Sequence, residues 1–274
     1  MTNRNKKVLH TEPKTRKQVR VWTAESVKKL IKTMDETTKE YIGCLQRGEL
    51  IRPTAATKYD GWHVPFLDGN SKTGSIVKTI SLRPVLDCAN CHACSSYCYD
   101  LRHDVIQNAC REYRCITAAI LEHDPERFWT EVEAQMKFIM LLRLAIGGDW
   151  MKKREWMEHW VKACRLNPHC KVLSFTKSYE VVNEWMDENG ELPENLHIIF
   201  SAWPDTPMDN RHNLPISFPL YTNEDIENDK KIEEFGKHMP RYYWHCNDDC
   251  TRCALAGEGC WTLQKGQAVG FNFH

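Results

Sequence analysis

Long apolar segments are absent from this 274-residue sequence. No run approaches the roughly 18 apolar residues that a membrane-spanning helix requires, so we expect no membrane contact. The first residues, MTNRNKKVLHTEPKTRKQ, also lack the apolar region of a secretory signal peptide. We therefore expect a cytoplasmic protein, whose 13 cysteines are reduced thiols or metal ligands and do not form a disulfide framework.

Net charge and several catalytic signatures are absent as well. The sequence balances 37 Lys and Arg residues with 37 Asp and Glu residues. It contains no Walker-type phosphate loop, no nucleophile elbow of the Ser-His-Asp hydrolases and no zinc-deaminase signature. These absences argue against a Walker-type nucleotide hydrolase, a serine hydrolase and a nucleobase deaminase.

The balanced charge is nevertheless unevenly distributed. Residues 1–32 carry ten Lys and Arg residues and only two acidic residues, Glu12 and Glu25, which gives this stretch a net charge of +8. A basic arm of this kind can bind the phosphate backbone of a nucleic acid. A solvated and poorly ordered terminus explains the same residues, so both interpretations stay open.

What the sequence has in abundance is cysteine, and eight of the 13 cysteines fall into two tight groups. The first group, here called the loop cysteines, comprises Cys88, Cys91, Cys94 and Cys98. The second group, here called the tail cysteines, comprises Cys246, Cys250, Cys253 and Cys260. The loop cysteines have the spacing of a bacterial ferredoxin run, with Tyr99 where a proline usually follows.

Dense thiolates on a short segment are soft ligands, which suit iron–sulfur clusters or zinc. A structural zinc site normally joins two separated pairs of ligands, whereas the loop cysteines offer four donors in one segment. We therefore predict a [4Fe-4S] cluster at the loop cysteines. At the tail cysteines, a second [4Fe-4S] cluster and zinc are both open, because Asp248 and Asp249 disfavour an anionic cluster and His245 can replace a cysteine.

The order of predicted elements divides the sequence into four segments. They are a basic flexible arm (1–22), an N-terminal helix and loop (23–70), alternating strands and helices that carry the loop cysteines (71–240), and a C-terminal cysteine-rich metal-binding segment (241–274). Regular alternation of strand and helix predicts an α/β fold with a parallel sheet, either open or curled into a barrel. We expect a first helix over 23–46, one helix over 101–121, a helix from Asp124-Pro125, and strands over 75–85, 141–146, 171–175, 196–200 and 216–221, with the tail cysteines after the last strand.

The loops that follow successive predicted strands carry most of the polar and glycine residues that can do chemistry. These loops hold the loop cysteines, 147–150 (GGDW), 176–178 (TKS) and 201–204 (SAWP). In parallel α/β folds, ligands bind at the carboxyl ends of the strands, on the loops that lead into the helices. We therefore expect these loops to face one common cavity.

The turn Gly147-Gly148-Asp149 is the clearest candidate for binding a cofactor in that cavity. Paired glycines let a ligand approach the backbone, and a carboxylate beside them can bind a cationic amine. A plain strand-to-helix turn is the alternative interpretation. Trp150 and Trp203 also follow strand ends, so we expect them to stack on a planar substrate.

Six motifs in a fixed order give the sequence a resemblance to a known family. They are KTGSIVKTISLRP, CxxCSSYCYD, LRLAIGGDW, VLSFTKS, LPENLHIIFSAWP and the tail HCNDDCTRC…GCW. Over roughly residues 71–262, the sequence resembles the phage gene product 88 family, a group of phage- and prophage-associated proteins. More distantly, it resembles the radical SAM superfamily, whose fold is a partial (βα)6 barrel, a partial TIM barrel.

The resemblance implies roles for particular residues. Three of the loop cysteines would hold the [4Fe-4S] cluster of a radical-SAM-like enzyme, with Tyr99 as an aromatic neighbour. Gly147, Gly148 and Asp149 would bind the methionyl amine of S-adenosylmethionine, and the tail cysteines would hold an auxiliary cluster. The enzyme would cleave S-adenosylmethionine and modify an unknown substrate.

The first loop departs from the superfamily pattern in its spacing and in its number of cysteines. The usual loop, Cys-x3-Cys-x2-Cys, leaves one iron open for S-adenosylmethionine, whereas four thiolates would leave no open iron. A non-enzymatic iron–sulfur or zinc protein, which binds a partner or transfers electrons, is therefore the alternative function.

Overall fold

The computed structural model describes residues 21–49, 63–68, 76–246 and 249–272. Its helices are α1 Ala24–Gln46, α2 Tyr99–Ile106, α3 Asn108–His123, α4 Pro125–Met136, α5 Arg154–Leu166, α6 Tyr179–Asn189, α7 Asn223–Asn228, α8 Lys230–His238 and α9 Cys250–Ala256. Its strands are β1 Val77–Ile80, β2 Leu141–Leu144, β3 Lys171–Thr176, β4 Leu196–Ser201, β5 Ile216–Pro219, β6 Trp244–His245 and β7 Ala268–Phe271. Residues 1–20 of the basic arm (1–22) lie outside the described residues, so the binding of the arm to nucleic acid stays a prediction.

The described strands form one open, parallel sheet of seven strands in the order β1-β2-β3-β4-β5-β7-β6. The first five strands follow the chain order, and helices connect the first four of these strands in succession. β7 then pairs with β5, and the two-residue β6 pairs with the outer side of β7. The predicted α/β class and the parallel sheet are confirmed.

Two layers cover the two faces of the sheet. Residues such as Ile80, Leu142 and Phe200 point to one face, where they pack in a large apolar cluster with side chains of α3 to α6. Residues at alternate positions point to the other face, as the two-residue period of a strand requires. There, Leu173 and Ile199 pack with the C-terminal segment over 241–274, here called the tail. The tail therefore forms part of the fold of the sheet.

The sheet curves toward the tail side. The rings of Phe175 on β3 and Phe271 on β7 lie 5.7 Å apart, although β4 and β5 separate the two strands. Neighbouring strands lie about 4.8 Å apart, so three spacings would give roughly 14 Å on a flat sheet. Side chains on this face therefore converge on a common space.

Helix α1 forms a second, smaller layer beside the sheet. Its cap is the predicted Thr23, whose hydroxyl oxygen accepts a hydrogen bond from the Ser26 amide at 3.1 Å. The helix packs on α3 through an apolar cluster that includes Met34 and Cys115. Just before the helix, the Trp22 indole donates to the Cys98 carbonyl at 2.9 Å, which attaches this layer to the first cysteine loop.

Two sequence-based expectations are wrong. The helix expected over 101–121 is two helices, α2 and α3, with Gln107 between them in a non-helical conformation. The break lets α3 fold back along α2, and Arg114 then forms buried ion pairs with Asp100 and Asp104. The tail cysteines do not follow the last strand, because β6 ends just before Cys246 and β7 comes after the whole group.

In the described part of the chain, no helix combines the length and the apolar character needed to cross a membrane.

Candidate functional site

A cavity of about 310 Å³ opens at the carboxyl ends of the strands, on the curved face of the sheet. Its walls come from the loops after β1 to β4, from β5 and β7, and from the tail. Both cysteine groups reach it, through Cys88, Cys94, Cys246, Cys250 and Cys260. The volume lies at the lower end of the range for small-molecule sites. The expectation that the strand-end loops share one cavity agrees with this arrangement.

Three loop cysteines come together directly after β1. The sulfurs of Cys91 and Cys94 lie 3.7 Å apart in a hydrogen bond, and Cys91 also hydrogen-bonds Cys88. The Val85 amide donates to the Cys88 sulfur at 3.2 Å. Val85 and Asn90 adopt left-handed backbone conformations (φ 68° and 44°), which turn the loop tightly enough for the sulfurs to meet.

The surroundings favour a thiolate at one of these positions. The hydrogen bond with Cys91 and the charge of nearby Lys177 lower the pKa of Cys94 to about 6, against the burial that would raise it. The pKa of Cys91 is raised, because its hydrogen bonds to Cys88 and Cys94 favour the protonated thiol. Metal ligation requires the thiolate form, so Cys94 is the best prepared donor of the loop.

Cys98 differs from the other three loop cysteines. It packs against the apolar cluster of the α1 layer, beside Trp22 and Leu101. Like Cys91, it does not line the cavity, although it lies near enough to Cys88 for the two thiols to interact electrostatically. Backbone amides of Leu101 and Asp100, at the start of α2, hydrogen-bond its sulfur. Burial raises the pKa of Cys98, so the apolar contacts favour the neutral thiol.

The paired glycines after β2 allow the closest backbone contact in the site. A Cβ atom at Gly147 would lie 2.0 Å from the Asp100 carboxylate, and one at Gly148 would lie 2.5 Å from Leu82 Cβ. Gly148 also has φ +77°, and it lines the cavity, as Tyr99 does. The Tyr99 hydroxyl donates to the backbone carbonyl of residue 146 at 3.1 Å, which joins the first cysteine loop to this turn.

The Asp149 carboxylate, in the loop after β2, hydrogen-bonds the end of β3 and the loop that follows it. The carboxylate accepts hydrogen bonds from the Thr176 and Ser178 hydroxyls and from the Lys177 and Met151 amides, at 2.9–3.1 Å. Burial raises the pKa of Asp149, and these donors oppose that shift. Since protein donors occupy both oxygens, the binding of an amine by this carboxylate stays a prediction. The geometry gives Asp149 a clear role in orienting the loop after β3.

The four tail cysteines lie close enough to influence one another. Burial, followed by the charges of Cys246 and Cys250, raises the pKa of Cys253 to about 11. Cys260 interacts with the other three in the same way. A Cβ atom at Gly259 would lie 3.1 Å from the Cys253 sulfur, so the glycine makes room for that thiol. The tail group is therefore compact, although its members come from the residue after β6, from α9 and from a short 3-10 turn.

Two cations of the cavity were not foreseen from the sequence. Arg143 on β2 donates through Nη1 to the Cys250 sulfur at 3.4 Å. Lys177 lies beside Cys94, with its ammonium 4.5 Å from the ring centroid of Trp203. An arginine inside the apolar strand LLRL is a sequence signal that could have indicated the first of these.

Trp203 lines the cavity, in agreement with its position after a strand, whereas the expectation for Trp150 is wrong. The Trp150 ring is fully buried, and its indole donates to the Ile80 carbonyl at 3.1 Å. It packs edge-on against Trp156 and Trp160, so no ligand can stack on it.

The family model described as Gene product 88 matches residues 20–259. The chain therefore belongs to the phage gene product 88 family. The matched range contains all four loop cysteines, the Gly147-Gly148-Asp149 turn and three of the tail cysteines, and it ends one residue before Cys260. No curated protein and no solved structure matches the chain significantly.

The donors of this gene product 88 protein can be compared with the needs of a metal. Within the ranges that the structure describes, no group of three or more His, Cys, Asp and Glu side chains is arranged to hold a single metal ion. A single zinc ion requires all its ligands within about 2.3 Å of one point. An iron–sulfur cluster instead spreads its thiolates over separate irons. Soft thiols that receive N–H donors from Val85 and Arg143 fit the chemistry of a cluster, and both metal sites stay predictions.

Proposed function

We propose that this gene product 88 protein is an iron–sulfur protein that binds a [4Fe-4S] cluster through Cys88, Cys91 and Cys94. We further propose that it is a radical-SAM-like enzyme, which cleaves S-adenosylmethionine to modify an unknown substrate. The observation that carries the proposal is the division of the loop cysteines into three that meet and one, Cys98, that packs against the α1 layer. Three thiolates leave one of four irons without a protein ligand.

The architecture supports the same proposal. An open parallel sheet, curved around a cavity at its carboxyl edge, is the arrangement that a partial (βα)6 barrel requires. The loop cysteines follow β1, and the glycine turn follows β2, as they would in that fold. The Tyr99 hydroxyl joins these two loops.

The chemistry divides between the cofactors and the protein. A [4Fe-4S] cluster held by Cys88, Cys91 and Cys94 would supply one electron for the reductive cleavage of S-adenosylmethionine, with methionine as the leaving group. The protein's residues bind and shield the reactants. Gly148 leaves backbone accessible at the cavity wall, and Trp203 and Tyr99 provide aromatic faces for a planar group. Lys177 places a positive charge beside Cys94, which stabilises the anionic thiolate.

The tail cysteines would hold a second metal group at the same cavity. A second [4Fe-4S] cluster and zinc are both chemically suited to four thiols. The contact between Arg143 and Cys250 favours an anionic group, as a cluster with four thiolates would be.

A set of cysteine variants tests the proposal at the first site. Cys88→Ala, Cys91→Ala and Cys94→Ala should each remove about four iron atoms per chain, measured with acid-labile sulfide in anaerobically purified protein. Cys98→Ala is the matched control, since it removes a thiol of the same loop. This variant should keep the iron and lose only about 1 kcal/mol of stability from the missing contacts.

The enzymatic part requires a separate measurement. With dithionite and S-adenosylmethionine, the wild-type protein should form 5′-deoxyadenosine, and its EPR signal should change when S-adenosylmethionine is added. If Cys98→Ala loses iron as the other variants do and no 5′-deoxyadenosine forms, four thiolates saturate the cluster. The protein would then be a non-enzymatic electron-transfer or metal-stabilised binding protein.

A further inference from the structure

Arg143 is the least expected residue of the cavity. It lies on β2, and its partly buried side chain reaches the tail. One guanidinium nitrogen, Nη1, donates to the Cys250 sulfur at 3.4 Å, and the guanidinium carbon lies 5.3 Å from the ring centroid of Phe175. The Nε atom is buried and has no hydrogen-bond partner among the described residues.

The guanidinium also lacks an acidic partner among the residues that the structure describes. Over 21–49, 63–68, 76–246 and 249–272, no Asp or Glu carboxylate forms an ion pair with Arg143. The carboxylate that lines the cavity, Asp149, is already engaged by four protein donors. The ionisable groups that act most strongly on Arg143 are Tyr99 and the thiols of Cys250, Cys260 and Cys246. A buried cation without a counter-charge is strongly destabilising, so these thiols are the natural source of negative charge.

We propose that Arg143 is a positioning residue for the tail site. Its guanidinium holds Cys250 through an N–H···S hydrogen bond and balances the negative charge of the metal-bound tail thiolates. This inference rests on the part of the proposed function that assigns a metal group to the tail. It also explains why the tail metal group would face the cavity, because its counter-charge comes from Arg143 on the sheet, which lines that cavity.

Two substitutions at position 143 separate the effect of the positive charge from the effect of side-chain shape. A lysine keeps the positive charge but loses the planar fork and the stacking on Phe175. A methionine fills similar space without charge. Hydrogen bonds and positive charge near cluster sulfurs favour the reduced, more negative form. Loss of the charge should therefore make the tail group harder to reduce.

The experiment uses the full chain, purified without oxygen, with iron, zinc and sulfide measured per chain. Cys250→Ala identifies the metal and the EPR signal that belong to the tail. Arg143→Met should then shift the reduction equilibrium of that signal at least tenfold toward the oxidised form, which is about 59 mV for one electron. If the tail metal is zinc, Arg143→Met should instead speed its release to a chelator at least tenfold.

Arg143→Lys should show a smaller shift than Arg143→Met, and the signal of the first site should stay unchanged in both. The matched control is Arg165→Met, which removes the same charge from an exposed position near the end of α5. If Arg143→Met does not fold, Arg143→Gln, which is polar but uncharged, decides: a shift beyond that of the control supports the inference, and wild-type behaviour overturns it.

Two further results would also overturn the inference, and they have different meanings. If the tail metal of Arg143→Met keeps the wild-type reduction potential and release rate, the proposed role of Arg143 is refuted, but the tail metal site is not. A wild-type protein without any metal that depends on Cys250 refutes the tail part of the proposed function together with this inference. That second result would not bear on the cluster proposed at the loop cysteines.

Discussion

Replacing Gly148 with alanine would add a methyl group where the backbone meets Leu82. The ideal Cβ would lie 2.5 Å from Leu82 Cβ and 3.1 Å from Leu82 Cα. The second of these atoms belongs to the backbone, so rotation of a side chain cannot relieve the overlap. Gly148 also has φ +77°, which is unfavourable for any residue with a side chain.

A matched glycine separates these two effects. Gly48, just after α1, has φ +66°, but no described atom lies within 4 Å of its ideal Cβ. Gly48→Ala should therefore lose only about 1–2 kcal/mol, the cost of a left-handed conformation. Gly148→Ala should lose about 1–3 kcal/mol more, because overpacking adds to the same backbone cost.

Urea denaturation of both variants, followed by tryptophan fluorescence and circular dichroism, gives the two free energies of unfolding. The expected order is wild type, then Gly48→Ala, then Gly148→Ala, with similar dependence on urea concentration. Equal losses in the two variants would refute the argument that close packing against Leu82 requires glycine in this turn.

Three further predictions concern pH, a hydrogen-bond network and the basic arm. Burial, followed by the charge of Lys171, lowers the pKa of His197, so the unfolded chain takes up the proton more readily than the folded protein. The free energy of unfolding should therefore fall as the pH drops below about 6.5. His197→Gln should make that fall smaller in urea titrations from pH 5 to 8. Asp149→Asn replaces one accepting oxygen with an NH2 donor, which would face the Lys177 or the Met151 backbone amide, and should lose about 3 kcal/mol in the same assay; a loss below about 1 kcal/mol would contradict the network. If the basic arm binds nucleic acid, deletion of residues 1–20 should remove a salt-dependent affinity for DNA or RNA, and unchanged affinity would exclude the arm.

Local signals in the sequence were sufficient for most of the sheet. Thr23 caps α1, and Asp124 and Pro125 begin α4, because hydroxyl and carboxylate caps and an N-terminal proline act within one turn. The first five strands are apolar runs between turn residues, and their order in the chain is their order in the sheet. The cavity at the strand ends followed from that order.

What local signals could not reveal depends on contacts between distant residues. β6 has two residues and no pattern, and β7 finds its place only through pairing with β5. Trp150 follows a strand end, but four aromatic neighbours bury it. The sequence spacing of the loop cysteines does not indicate which of the four thiols lies apart from the other three. Only the packing of Trp22 and α1 beside the loop distinguishes Cys98.

The insertion of β7 between β5 and β6 has a consequence for synthesis of the protein in the cell. Domains form as the nascent chain leaves the ribosome, N-terminal elements first. Until β7 emerges, the outer side of β5 is an unpaired edge, which can recruit other chains or a chaperone. Elements around Cys88 are available long before that point, whereas Cys250 can meet β2 only after the tail has folded back. The two proposed metal groups should therefore be loaded in sequence, with the tail group last.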